Sequence, residues 1–373
     1  MNLENLINTA VKNNSGLKSA ELEKNKAAAL VGNAFNFDKT QVYYQYDQNN
    51  LSRGDLPLNV WGIQQDFLFP TVYFSKKSVN QKHLKVSEKN YEIKKKLLTK
   101  EVSSAYFTFL HQMKKEEIYE TLDSLYTDFA RIAQRRFELG ETNYLEKITA
   151  SSKHRRIQIA LDKAKNDVSL AYSEILGLIQ LSDSVRIDII PLKELSLNEV
   201  NPRETIEAGY YESLIGVAHA EKLLETHKML PDITLNYFQG TNSAVNGNLF
   251  GYQVGVKIPL FFSGNSSRIK ALKISELKIL EESKEYQKNL SIKYSQLLKE
   301  QKKYSKTLAY FQEEGTHLSD QILKTAIISF KNGEIDFFQY IQSLENAYEI
   351  QLEYLENLNL YNQVILEINY LNL

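Results

Sequence analysis

Two stretches of this 373-residue chain keep a helical pattern for about 67 residues each, and nothing else constrains the fold as much. One follows Pro70 and ends at Gly140; the other follows Phe261-Phe262-Ser263-Gly264-Asn265 and ends at Gly333. A helix of that length is roughly 100 Å long at 1.5 Å per residue, more than a single globular core spans. With only 15 Gly and 6 Pro in the chain, few loops are available to interrupt it. Such helices persist only if an apolar stripe is buried against neighbours. The 3-4 spacing of Ile341, Leu344, Tyr348, Leu352, Leu355 and Leu358 supplies a coiled-coil type of seam.

Both stretches end in the same way. Arg136-Phe137-Glu138-Leu139-Gly140-Glu141-Thr142-Asn143-Tyr144-Leu145-Glu146 is echoed by Ser329-Phe330-Lys331-Asn332-Gly333-Glu334-Ile335-Asp336-Phe337-Phe338-Gln339. Gly140 and Gly333 stand where a helix ends in the left-handed conformation. Three residues on, Asn143 and Asp336 are N-cap residues, and Glu146 and Gln339 complete a capping-box spacing, so a second helix starts at each corner. Each segment reads as the tip of a helical hairpin.

Between the helices the hydrophobic period drops to two. Leu3 to about Asn33 reads as one first helix. Over Thr40 to Asp47, Val42, Tyr44 and Tyr46 alternate with Gln41, Tyr43 and Gln45; over Asn59 to Phe69, Trp61, Ile63 and Phe67 alternate with Gly62, Gln64 and Asp66. The turn-rich segment 48–55 joins these two strands. A helix from Asn143 to about Leu178 follows the first tip. The segment 181–202 is a connector with one short strand around Val185 to Ile190. A second cycle then begins with a helix over Arg203 to Leu230. It continues with a strand carrying Ile233, Leu235 and Tyr237 on one face, and a second strand from Phe250 to Leu260. That strand carries Phe250, Tyr252, Val254, Val256, Ile258 and Leu260 on one face and Gly251, Gln253, Gly255 and Lys257 on the other. The chain therefore divides into a first repeat, 1–180, a connector, 181–202, and a second repeat, 203–373.

Composition excludes several function classes. Lys+Arg 45 against Asp+Glu 46 leaves a formal net charge of -1, without the basic footprint of a nucleic-acid binder. The chain has no Cys, hence no disulfide, thiolate metal site or catalytic thiol. No phosphate loop, dinucleotide-binding Gly pattern, zincin pair or Gly-x-Ser-x-Gly elbow is present. The six His are scattered along helices without a ligand-like spacing, so neither an enzyme nor a metal or other cofactor site is expected. No apolar run reaches the roughly 18 residues of a spanning helix, and the first residues do not read as a signal peptide. That test is blind to membrane β-barrels.

Four alternating strands with one aromatic and aliphatic face suit a bilayer, where that face meets lipid and the polar face lines a lumen. The lipid-facing set is Val42, Tyr44, Tyr46, Trp61, Ile63, Phe67, Ile233, Leu235, Tyr237, Tyr252, Val254, Val256 and Ile258. Four strands do not close a barrel, which takes about eight, and open edges are not tolerated in lipid. Several chains must share one barrel, and three would give twelve strands with room for passage.

The two tips, the opening Leu3-Glu4-Asn5-Leu6-Ile7-Asn8-Thr9-Ala10-Val11-Lys12-Asn13-Asn14, Leu230-Pro231 before a strand, and Ile258-Pro259-Leu260-Phe261 before the second long helix together resemble the outer-membrane efflux protein (TolC-like) family. The resemblance spans essentially the whole chain. It implies a mainly α fold with a small membrane β part: a homotrimeric 12-stranded β-barrel in the outer membrane, continued into the periplasm by a barrel of long helical hairpins. It further implies a passive exit duct of a tripartite efflux pump or type I secretion system. A periplasmic adaptor protein would dock at Gly140, Glu141, Leu145, Gly333, Glu334 and Phe338, linking the duct to an inner-membrane pump that could be fused ahead of Met1. Two departures stand out: Asn36-Phe37-Asp38 where the second repeat has Leu230-Pro231, and about four fewer residues from Pro70 to Gly140 than from Pro259 to Gly333. An extra helical turn or a longer loop would each explain the latter. The alternatives are a soluble coiled-coil scaffold, which leaves the aromatic hairpins unexplained, and the adaptor itself, which would carry one helical hairpin and more β-structure.

Overall fold

A computed structural model describes residues 1–48, 57–181, 183–198, 205–242, 247–260 and 263–371. Eight α-helices and four strands follow in the order α1 (Leu3–Asn13), α2 (Ser15–Val31), β1 (Gln41–Asp47), β2 (Leu58–Phe67), α3 (Pro70–Glu138), α4 (Tyr144–Ile179), α5 (Ile206–His227), β3 (Asp232–Asn242), β4 (Gly247–Lys257), α6 (Ser263–Tyr310), α7 (Thr316–Lys331) and α8 (Phe337–Asn369). A 3-10 turn, Gly32–Phe35, extends α2, and a π turn, Phe311–Gly315, joins α6 to α7 without a break in the helix. The turn expected at 48–55 falls almost wholly outside the described residues.

The first helix is two helices rather than one. Asn14 leaves the helical region (φ -58°, ψ 118°) and its carboxamide oxygen accepts from the Leu17 amide at 3.0 Å, which caps α2. Its amide donates to the Leu178 carbonyl, while the Ser15 N–H donates to the side chain of Gln180 at 2.8 Å. A short polar side chain competing with the backbone thus ends α1.

The four-residue difference between the two long helices also resolves. Pro70 is the first residue of α3, which has 69 residues; α6, the π turn and α7, with 48, 5 and 16, together equal that number but begin at Ser263, four residues after Pro259. The described helical stretches are thus equal in length, and no turn is added between Ser263 and the Gly333 corner.

The chain forms two compact units. One comprises Met1–Lys18, Ile93–Thr205 and Lys288–Leu373; the other comprises Ser19–Glu92 and Ile206–Gln287. In the first, the α8 seam is buried as its spacing requires: Ile341, Leu344, Tyr348 and Leu355 pack with Tyr126, Phe129, Ala133 and Ala150. Aromatic rings dominate this core, with Phe330 stacked on Tyr340 at 4.6 Å and Phe129 edge-on to Phe337 at 5.9 Å. Burying rings of this size contributes roughly 1.5–3 kcal/mol each.

The strand expected around Val185 to Ile190 is absent; that segment is extended coil. Its backbone is satisfied by side chains and by the N-terminus instead. The Tyr172 hydroxyl donates to the Val185 carbonyl and accepts from its N–H, Tyr106 donates to the Asp188 carbonyl, and the Asp188 N–H donates to the Met1 carbonyl. Further on, Asn362 bridges the Leu195 N–H and the Lys193 carbonyl. Every backbone group needs a partner but not a ladder.

Candidate functional site

In the second unit β1, β2, β3 and β4 form one antiparallel sheet in chain order. Paired residues share a face, so the register fixes two surfaces. On one, the row Val42, Ile63, Tyr237 and Tyr252 runs across all four strands, beside Tyr44, Trp61, Gln239 and Phe250 and the pair Leu235 and Val254. This face is uncovered: Tyr252 is 80% exposed, Trp61 61% and Val254 64%, with Val42, Tyr44, Tyr46, Ile63, Leu235, Tyr237 and Val256 likewise exposed. The sequence-assigned apolar residues thus lie together, with three qualifications. Phe67 and Ile233, a register pair, are half-buried, the Phe67 ring meeting Phe37 at 5.7 Å. Ile258 is exposed but lies beyond the end of β4.

The opposite face is polar but not uniformly so. One row reads Tyr43, Gly62, Phe238 and Gly251. A Cβ built on Gly62 would lie 2.2 Å from the Tyr43 ring, and one on Gly251 would lie 2.5 Å from the Phe238 ring. Each glycine thus makes room for the aromatic ring of the neighbouring strand, a role that alternation alone does not reveal. The Tyr43 hydroxyl also pairs with the Asn236 carboxamide, and Asp66 accepts from Thr234 at 2.7 Å while forming an ion pair with Lys257.

The two helical corners lie in the first unit. Gly140 has φ 73° and Gly333 φ 72°, the left-handed conformation expected of both. The hydrogen bonds match pair for pair: Glu141 N–H to the Arg136 carbonyl and Glu334 N–H to the Ser329 carbonyl, both 2.8 Å, then Gly140 to Phe137 and Gly333 to Phe330, both 3.1 Å. This is the Schellman pattern. At the second corner Asp336 and Gln339 form the full capping box. At the first only half of it forms. Asn143 accepts from the Glu146 N–H at 2.9 Å, but the Glu146 carboxylate turns to Arg136 at 2.9 Å and to Thr142. Among the residues assigned to docking, Glu141, Leu145, Glu334 and Phe338 are all exposed, as are Leu139 and Tyr144 nearby. Glu334 is tied locally, accepting from Ser329 at 2.7 Å and from Asn332 at 3.4 Å.

The histidines are distributed among separate partners. His227 pairs with Ser75 at 2.6 Å, His154 with Thr127 at 2.9 Å, and His83 with Glu221 at 3.3 Å. Among the described residues no group of three or more His, Asp or Glu is placed to hold a metal ion, and no helix is long and apolar enough to cross a membrane.

No family model matches the sequence, and no curated protein sequence is similar to it. Solved structures are similar over the whole length. The CmeC outer membrane channel of Campylobacter jejuni superposes with a TM-score of 0.81 at 15% identity, covering 99% of this chain and 85% of that one. The open state of the MtrE outer membrane channel of Neisseria gonorrhoeae gives 0.80 at 13%, covering 99% and 88%. The fold is that of the outer-membrane channels. The outer membrane protein VceC of Vibrio cholerae, at TM-score 0.79 and 12% identity, covers 99% of this chain and 96% of its own.

Proposed function

We propose that this chain is one of three identical protomers of an outer-membrane exit channel in a Gram-negative bacterium. The observation that carries the reading is the sheet: among the described residues neither edge strand, β1 or β4, has a further neighbour, and one face exposes a continuous row of Val42, Ile63, Tyr237 and Tyr252. In water each large apolar side chain left exposed forgoes about 1.5–3 kcal/mol. In lipid the same face is solvated by acyl chains, and the edges are satisfied when the β4 edge of one protomer pairs with the β1 edge of the next. Three copies give twelve strands around a lumen lined by the Tyr43, Asn236, Gln253 and Asp66 face. The recurrence of helix, two strands, 69-residue helical stretch, glycine corner and helix is read as an internal duplication. The long helices form the periplasmic extension, and the corners receive an adaptor protein that joins the duct to an inner-membrane pump or secretion transporter. Transport through such a duct is passive, and no catalytic step is assigned to it.

The test measures assembly in detergent. The wild-type complex is expected at the mass of a trimer. Val254→Arg, which puts a charge toward lipid at a cost of about 2–4 kcal/mol near the midplane, is expected to abolish most of it, while Gln253→Arg on the lumen face is tolerated. A stable monomer with all four strands protected from exchange, or equal loss in both variants, would overturn the shared barrel.

A further inference from the structure

Asn followed by Gly is the dipeptide in which a side-chain amide is lost most readily, because no Cβ shields the backbone nitrogen that attacks it. The chain holds two, Asn246-Gly247 and Asn332-Gly333. Asn246 lies outside the described residues, whereas Asn332 immediately precedes the left-handed glycine of the second corner. The matching residue of the first corner is Leu139, which has no amide to lose.

The second corner exposes this pair and at the same time holds it unreactive. Asn332 is exposed, so water reaches its side chain. Its backbone keeps a helical φ of -82° and ψ of -6°. At that ψ the Gly333 nitrogen eclipses the Asn332 nitrogen, whereas ring closure onto the side chain needs the Gly333 nitrogen and the Asn332 Cβ on the same side of the Cα–C bond. Two backbone bonds fix this orientation: Gly333 N–H to the Phe330 carbonyl at 3.1 Å and Glu334 N–H to the Ser329 carbonyl at 2.8 Å. Side chains add a further tie, since Glu334 accepts from the Ser329 hydroxyl and, at 3.4 Å, from Asn332 Nδ2. Turning the Asn332–Gly333 peptide toward the side chain therefore requires the corner to open but not the fold to unfold, and helix ends open locally far more often than the whole chain does.

We propose that Asn332 is a deamidation site gated by the second corner, protected while the corner is closed and reactive when it opens. In the open state the Gly333 nitrogen attacks Asn332 Cγ and gives up its proton, the Cγ–Nδ2 bond breaks, and ammonia leaves a five-membered succinimide. Water then opens the ring at either carbonyl to give aspartate or isoaspartate, with nothing oxidised or reduced. Either product works against the corner. A carboxylate at residue 332 loses the amide that donates to Glu334, sets a second negative charge beside it, and lies at the carbonyl end of α7, where the macrodipole disfavours it. Isoaspartate also routes the backbone through Cβ and Cγ, which lengthens the chain between α7 and Gly333 by one atom. The reaction takes place within one chain and does not rest on the channel reading.

The test ages the purified full chain in detergent at neutral pH and maps the endoproteinase Glu-C peptide 315–334 by mass spectrometry. Asn332 is expected to convert to a mixture richer in isoaspartate than aspartate, at about a tenth or less of the rate in the urea-unfolded chain, because only the open fraction reacts. Glu334→Ala, which removes the acceptor of both side-chain ties, is expected to raise the native rate about threefold with little change in the unfolded rate. Asn332→Gln, whose ring closure would be six-membered, is expected to abolish the reaction. In Asn332→Asp, which supplies one product directly, hydrogen exchange of the Gly333 and Glu334 amides is expected to be about threefold faster than in the wild type. Equal rates in the native and unfolded chains, no native conversion while the unfolded chain converts completely, an unchanged rate in Glu334→Ala, or unchanged exchange in Asn332→Asp would each overturn the proposal.

Discussion

The two glycine corners share one backbone and differ in how side chains complete it. At both, the same pair of reverse hydrogen bonds and the same φ near 70° close the helix. At the second, Asp336 and Gln339 cap each other's backbone and Glu334 is bound to Ser329 and Asn332. At the first, Glu146 leaves the cap for Arg136, and the exposed Glu141 side chain has no comparable contact among the described residues. The exposed side chains diverge as well: Leu139, Tyr144 and Leu145 at one corner, Phe338 at the other. One residue type at one position dictates the turn, and that leaves the flanking side chains free to differ. A partner meeting both corners would therefore find the same shape with different chemistry.

The largest expected effect tests the shared part. Gly140→Val and Gly333→Val each force a β-branched residue into the left-handed region, at about 2 kcal/mol or more. No atom lies within 4 Å of an added Cβ at either site, so the cost is conformational and should be equal. Denaturant midpoints of the two variants check this, and a difference beyond about 1 kcal/mol would mean the corners are not equivalent in backbone energetics. Crosslinking to an adaptor should fall in both while trimers still form.

The next effect tests the difference. Arg136→Ala leaves the nearly buried Glu146 carboxylate without its cation, at about 1–2 kcal/mol once the partial exposure of Arg136 is allowed for. Ser329→Ala at the matching position of the second corner, where Glu334 is exposed, should cost less than half of that. Equal losses would erase the contrast drawn between the corners.

A third comparison concerns the caps. Asn143→Ala and Asp336→Ala should each cost about 1 kcal/mol, the latter more, because Gln339 loses the partner of a reciprocal pair. Thermal midpoints of the two variants measured side by side decide it. The smallest effect is Glu141→Lys, an exposed change expected within about 0.5 kcal/mol. Glu334→Lys should be somewhat worse, since it loses the contacts to Ser329 and Asn332. If Glu141→Lys also leaves adaptor crosslinking unchanged, that carboxylate has no role in docking.

Much of this was legible in the sequence because local chemistry decides it. Gly140 and Gly333 had to be left-handed, and alternation assigned Tyr44, Trp61, Tyr237 and Tyr252 to one face. The break at Asn14 was also within reach, since Asn13-Asn14-Ser15-Gly16 is a run of cap and turn residues that the surrounding Ala and Leu periodicity obscured. What was not legible depends on partners distant in sequence. Tyr43 lies over Gly62 and Phe238 over Gly251 only once the register is known. Val185 to Ile190 looked like a strand because its composition suits one, yet Tyr106, Tyr172 and Met1 satisfy its backbone first. The Glu146 carboxylate likewise chose Arg136, ten residues back, over the cap its spacing suggested.

The π turn at Phe311–Gly315 has a consequence of angular phase. A π turn accommodates one residue more than an α turn, so beyond it the apolar stripe is rotated by about 100°, the advance of one residue in a 3.6-residue helix. Leu308 before the turn packs with Leu358, Tyr361 and Ile365, whereas Ala326 after it packs with Phe337, Tyr340 and Ile341. The sequence of α7 is thus written in a different rotational frame from that of α6, and the Gly333 corner inherits that frame. Deleting one residue within Gln312–Glu314 would remove the one that the π turn accommodates, so an unbroken α-helix would result in which α7 and the Gly333 corner keep their present direction, whereas the same deletion elsewhere in α6 would turn both.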